Sequence, residues 1–122
     1  YFLFPYLTDE QMACALAGSD IVISRAGSAI FEIAAAGKPA LLVPLPNSAN
    51  NHQFENAYAY SAAGAGIVTE EENLLPGLVM TQLQKLIENK ELYEKMATAA
   101  RAFFRPNAAE AIAKDILAIS NI

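Results

Sequence analysis

Residues 24–56 read SRAGSAIFEIAAAGKPALLVPLPNSANNHQFEN, and this stretch decides the fold. Its first residue ends a short apolar run, Ile21-Val22-Ile23-Ser24, that leads into Arg25-Ala26-Gly27-Ser28. An alanine-rich segment carrying one carboxylate, Glu32, follows and closes at Gly37, with Pro39 just beyond. Good helix formers ended by Gly and then Pro read as a helix over 28–36 with a glycine cap. A second apolar run, Ala40 to Val43, enters a loop rich in Pro, Asn and Ser, after which His52, Gln53 and Asn56 open another helix. Strand, glycine turn and helix in this order leave unsatisfied backbone N–H groups at the helix start, a ready anion site. A lone carboxylate and a Gln/Asn pair lie close by. Those are the groups that a pyrophosphate-linked ribose and a sugar need.

Working outward, Thr8-Asp9-Glu10-Gln11 has the form of a capping box and predicts a helix from Asp9 to about Ala17. The run 21–24 is apolar throughout, as a buried parallel strand would be. Helices are expected over 53–63, where Gly64 stops the segment, and over 78–88, 90–103 and 108–120, the last capped by Asn107 and Glu110. A short strand is expected over 66–69. Alternating strands and helices joined by short turns give an α/β fold, a Rossmann-like parallel sheet with helices on both faces. Tyr1-Phe2-Leu3-Phe4-Pro5 reads as the tail of a strand, so the chain is expected to begin inside a larger domain.

Composition narrows the function. The chain has 122 residues, enough for a single core, and 54% of them are apolar. Its formal charge is −5 with no basic cluster, which argues against nucleic acid and against docking on an anionic membrane through these residues. No apolar run approaches the roughly 20 residues of a membrane span. The one cysteine, Cys14, cannot form an internal disulfide, and one histidine without Cys/His spacing is too little for a zinc site. An anionic ligand would therefore have to be held by local helix N-termini rather than by a broad positive field.

Ser-Arg-Ala-Gly before a Glu-bearing helix, Glu-Ile-Ala-Ala-Ala-Gly-Lys-Pro-Ala, and His-Gln-x-x-Asn-Ala together resemble the donor-binding half of the MurG-type UDP-N-acetylglucosamine transferases. The similarity runs from about Leu7 to about Val68. The chain departs from that pattern in having one residue fewer between Gly27 and Glu32. The resemblance implies the C-terminal, donor-binding domain of a GT-B glycosyltransferase, truncated on its N-terminal side, spanning 1–122 and lacking the acceptor domain. It implies an inverting transfer of GlcNAc from UDP-GlcNAc to lipid-diphosphate-linked muramoyl-pentapeptide at the cytoplasmic face of the bacterial membrane. No cofactor, metal or nucleic acid is expected; the absent domain would bring the lipid acceptor, peripheral membrane contact and the base. A catalytic half of a dolichol-type chitobiose-forming transferase, or a non-catalytic nucleotide-sugar module, are the alternatives.

Residue by residue, Gly27-Ser28 either cradles a pyrophosphate or makes a plain turn that needs Gly for its conformation. Glu32 either accepts from both ribose hydroxyls or is a first-turn carboxylate favoured by the helix dipole. Gln53 and Asn56, at i and i+3, share a helix face and could meet sugar hydroxyls, unless Asn50, Asn51 and His52 simply cap the helix. Arg25 offsets diphosphate charge or pairs with Asp20 or Glu32. The resemblance assigns UDP to Leu7, to Gly27, Ser28, Ala29 and Ile30, and to Glu32; it assigns the sugar to Gln53 and Asn56, with His52 beside them. Met12, Cys14 and Leu16 read as core and neighbouring contacts, Tyr58, Tyr60, Phe103 and Phe104 as packing, and Glu70-Glu71-Glu72 as a solvated charge run.

Overall fold

A computed structural model describes residues 1–120 and places three short strands in one parallel sheet: β1 (Val22–Ser24), β2 (Ala40–Leu42) and β3 (Gly66–Val68), in the order β1-β2-β3. Ala40 stands opposite Val22 on one side and Gly66 on the other, so the three strands run in register. The segments 21–24 and 40–43 are thus adjacent and parallel, as the sequence implies. Helix α2 (Ala29–Ala36) joins β1 to β2, and α3 (His52–Ala62) joins β2 to β3. Right-handed crossovers that add strands in one direction put both helices on one face. There Ile30, Ile33 and Ala34 of α2 and Ala57 and Tyr60 of α3 share a core with Ala40 and Leu42.

Leu41 lies between those two strand residues and points to the opposite face, where it is also fully buried. That face receives α4 (Pro76–Glu88): Thr69, in phase with Leu41, donates from Oγ1 to Gln82 Oε1 at 3.0 Å. The next helix, α5 (Lys90–Phe103), returns to α2. Its Ala100 enters the core, and Phe103 stacks on Phe31 at 6.2 Å and meets the edge of Tyr60 at 5.0 Å. Helices α1 (Asp9–Gly18) and α6 (Ala108–Ser120) flank this unit and contain no buried residue.

The local signals did their expected work at several ends. Thr8 and Gln11 form the reciprocal capping box of α1. Gly37, at φ 65°, closes α2 in the left-handed conformation, with Lys38 N–H reaching back to Ile33 O at 3.2 Å. Three expectations need correction. Among the described residues the first strand stands at an edge of the sheet, and Ile23 is 53% exposed. An apolar run reports strand character but not whether a neighbour covers it. Residues 1–5 form no strand, because the three strands pair only with one another. Likewise Met12 and Cys14 are exposed and only Leu16 of α1 packs on the core, since α1 meets the rest of the fold along a narrow line.

Tyr60 is the largest fully buried side chain. Burial pushes its phenol up to about 12 from an ordinary 10.0, and its hydroxyl reaches Lys38 O only at 3.5 Å. Between about pH 10 and about pH 12 the unfolded chain releases this proton while the folded one keeps it. The stability Tyr60 contributes is therefore full below about pH 10 and is lost as pH rises through about 12. Tyr60→Phe should flatten that alkaline decline in urea-unfolding curves. At pH 7 it should change stability by less than about 1 kcal/mol, because the hydrogen bond it removes is long. An unchanged alkaline slope would place the phenol in solvent.

Candidate functional site

The C-terminal edges of the three strands and the loops that leave them gather most of the residues singled out in the sequence. At the first edge, the chain turns through Arg25, Ala26, Gly27 and Ser28 into α2. Gly27 is not in a left-handed conformation, and a Cβ built on it meets nothing within 4 Å. Neither a left-handed backbone nor crowding requires a glycine here, and open space lies against the turn. Gly66 is the contrary case: a Cβ there would stand 2.9 Å from the Tyr60 ring and 3.0 Å from Ala40 O. Ser28 precedes α2 without capping it through its side chain. The N–H groups of Ile30 and Phe31 turn back to Gly27 O and Ser28 O. Among the described residues no acceptor meets the N–H of Ser28 or Ala29, which leaves both for an anion. Ile30 differs. Its side chain is 1% exposed and its N–H is used, so it serves the core.

Glu32 sits in the first turn of α2 on the exposed side of the helix. It forms no ion pair or side-chain hydrogen bond among the described residues. With half-buried Leu7 it lines an open groove of about 990 Å³ between α1 and α2, whose apolar wall includes Met12, Leu16 and Ala35. Lys38 lies at the other end, its Nζ bound to Ala17 O at 3.0 Å. A flat apolar base and a diol could both be accommodated here, the carboxylate accepting from the diol.

Arg25 is paired, but with neither Asp20 nor Glu32. Its Nη1 and Nη2 donate to Glu71 Oε2 and Oε1 at 3.1 and 3.3 Å, and Nη1 also reaches Val43 O at 3.3 Å. The charge run 70–72 is accordingly more than a solvated loop. Glu71 opens a 3-10 turn, Glu71–Asn73, and Glu70 accepts from the Tyr58 hydroxyl at 2.6 Å, which raises the Tyr58 phenol above its ordinary value. Sequence proximity could not reveal the partner, which stands 46 residues away.

The loop before α3 holds Asn47, Asn50 and Asn51 at φ 60°, 52° and 55°, a conformation asparagine tolerates better than other side chains. None of Asn50, Asn51 or His52 caps α3 through a side chain onto its N–H groups. Ser48 does so instead, a buried residue the sequence reading passed over among several equivalent candidates; its Oγ accepts from Gln53 N–H at 3.3 Å. His52 Nδ1 meets Ala49 O at 2.6 Å and so must carry the proton. Gln53 Oε1 accepts from Leu45 N–H at 2.9 Å, and Asn56 Nδ2 donates to Ala26 O at 3.0 Å. These partners fix both amides. Among the described residues the Gln53 amide N–H groups and the Asn56 carbonyl have no partner, and Asn56 stands against the Gly27 turn through Ala26.

Comparison with known proteins fits this geometry. The glycosyltransferase family 28 C-terminal domain matches residues 1–114. The chain is 45% identical over 113 residues to a Caldicellulosiruptor saccharolyticus protein named UDP-N-acetylglucosamine–N-acetylmuramyl-(pentapeptide) pyrophosphoryl-undecaprenol N-acetylglucosamine transferase, covering 92% of this chain and 30% of the relative. A protein of the same name from Clostridioides difficile is 42% identical over 118 residues, 96% of this chain and 28% of its own length. The crystal structure of Acinetobacter baumannii MurG superposes with a TM-score of 0.80 at 34% identity, over 93% of this chain and 32% of that one. The chain thus spans about three tenths of the length of these relatives.

The two glycines should separate experimentally. Gly66→Ala should cost about 1–3 kcal/mol of stability through overpacking against Tyr60 and the strand. Gly27→Ala should stay within about 0.5 kcal/mol of the parent, as for a substitution into open space, yet impair binding of a diphosphate ligand. Chemical denaturation paired with ligand titration measures both. Gly27→Ala that binds normally would show that nothing docks on the turn.

Proposed function

The chain belongs to the glycosyltransferase family 28 C-terminal domain family, and from that premise we propose that it forms the UDP-GlcNAc-binding part of a peptidoglycan-synthesising transferase. The whole enzyme would move GlcNAc from UDP-GlcNAc to lipid-diphosphate-linked muramoyl-pentapeptide. The names of the relatives support this reading. The observation that carries it is the grouping of Glu32 and Leu7 on one groove, open space against Gly27 after β1, and Asn56 bonded to Ala26. Ligands of open parallel sheets bind at that edge.

On this reading Leu7 offers backbone groups to the uracil, Glu32 accepts from the ribose hydroxyls, and Ser28 and Ala29 give their N–H groups to the diphosphate. Gln53 and Asn56 meet the sugar. When an acceptor hydroxyl attacks the anomeric carbon from the face opposite UDP, the α2 N-terminus stabilises the charge that grows on the departing diphosphate. The base, the acceptor contacts and attachment to the cytoplasmic membrane face are assigned to the remainder of the protein. No helix among the described residues is long and apolar enough to cross a membrane. Assay of the full-length protein for UDP release with a lipid-diphosphate acceptor tests the proposal. Absence of acceptor-dependent release would remove it.

Two substitutions resolve the donor into its parts. Glu32→Ala should cost about 1.5–3 kcal/mol in donor use, the range for hydrogen bonds to a charged group, and clearly less with a 2′-deoxy donor. Equal penalties on both donors would make Glu32 structural. Gln53→Ala should cost roughly 1–2 kcal/mol with UDP-GlcNAc and leave inhibition by UDP nearly unchanged, since UDP lacks the sugar. Leu45 is exposed, so water can take the N–H that Gln53 vacates. Parallel loss of UDP and UDP-GlcNAc would refute the sugar assignment.

A further inference from the structure

Arg25 occupies an unusual place. It leaves the C-terminal end of β1, donates to the carbonyl of Val43 just past β2, and grips Glu71 beyond the end of β3 in a two-pronged ion pair. One side chain therefore links the exits of all three strands. The next residue, Ala26, is held from the other side by Asn56. The residues entering the Gly27 turn are thus held twice, once from α3 at Ala26 and once through Arg25 from the loop after β3.

We propose that Arg25 and Glu71 form a positioning pair that presets the Gly27 turn, so that the N–H groups of Ser28 and Ala29 converge on the diphosphate of the donor. This rests on the donor-binding reading above. Two arguments favour positioning over direct contact. The guanidinium already spends three donor contacts on protein oxygens, and Glu71 neutralises its charge where it stands. Backbone N–H groups stabilise an anion well only when they are held in place beforehand, because reorganisation subtracts from the binding. The pair is half-exposed, at 46% and 42% for the two side chains, so its worth lies in geometry rather than in raw stability.

The test uses the full-length protein with UDP and uridine as probes, in the parent, Glu71→Gln, Arg25→Met and the double variant. Uridine keeps the groups that Leu7 and Glu32 would hold and lacks the diphosphate. Glu71→Gln should bind UDP roughly three- to tenfold more weakly, as expected for a half-exposed pair, and uridine as the parent does. The double variant should bind UDP no more weakly than Arg25→Met alone, because the pair acts as a unit. Tighter UDP binding by Glu71→Gln would overturn the proposal and make Arg25 a phosphate ligand that Glu71 restrains. Unchanged UDP binding, or equal losses for UDP and uridine, would overturn it in favour of a merely structural pair. A parent protein that does not bind UDP would fail the donor reading itself, a result distinct from each of these.

Discussion

Because β1, β2 and β3 pair in parallel, each must be joined to the next by a crossover that returns the chain to the same end of the sheet. That constraint decides where chemistry can sit. Every strand exit lies on one edge, so the Gly27 turn, the asparagine-rich loop and the Glu70–Asn73 segment are neighbours although the sequence separates them. The hydrogen bonds that cross this edge are the ones that shape the site: Asn56 to Ala26, Gln53 to Leu45, and Arg25 to Val43 and Glu71. An antiparallel arrangement of the same strands would scatter them.

The crossover helices can serve that edge only if they lie close to the sheet, and the core is built from small residues for that reason. Ala26, Ala34, Ala40, Ala57, Ala65 and Ala100 are all buried in one cluster, leaving its bulk to Ile30, Ile33, Leu42 and Tyr60. Tyr60 sits on β3 because Gly66 offers no Cβ to hold it off. Cavity and overpacking costs both rise steeply in such a core, so the position of α3, and with it Gln53 and Asn56, is fixed by packing as much as by hydrogen bonds.

The order of elements was legible because each carried its own local signal. Thr8 and Gln11 announced α1, Gly37 ended α2, and the alternation of apolar runs with helices gave the parallel sheet. What could not be read was set by contacts between distant residues. Nothing near Ile23 in sequence says that its strand stands at the edge, and nothing near Arg25 names Glu71. The candidate site divides along the same line. Glu32, Gly27, Gln53 and Asn56 were marked by residue type against their surroundings, and the structure brings them to one edge. Ser48 was missed because capping residues crowd that loop, and Ile30 was included because a motif does not say which side of its helix faces the core.

On the donor reading, a net acidic chain has to hold a diphosphate, and the arrangement at the turn bears on how. Arg25 is neutralised by Glu71 and Lys38 is bound to Ala17 O, so the turn itself offers neutral N–H donors rather than free cations. Glu32 stands in the first turn of the same helix that would receive the phosphates. The helix N-terminus favours either negative group, but two of them near one end repel. On the donor reading the ribose resolves that conflict, because its hydroxyls donate to Glu32 and draw off part of its charge. A bare anion would gain the N–H groups and still face the uncompensated carboxylate, whereas a nucleoside diphosphate supplies its own remedy. Glu32 would thereby act against inorganic phosphate as well as for the ribose, and selectivity at this edge would follow from repulsion as much as from attraction.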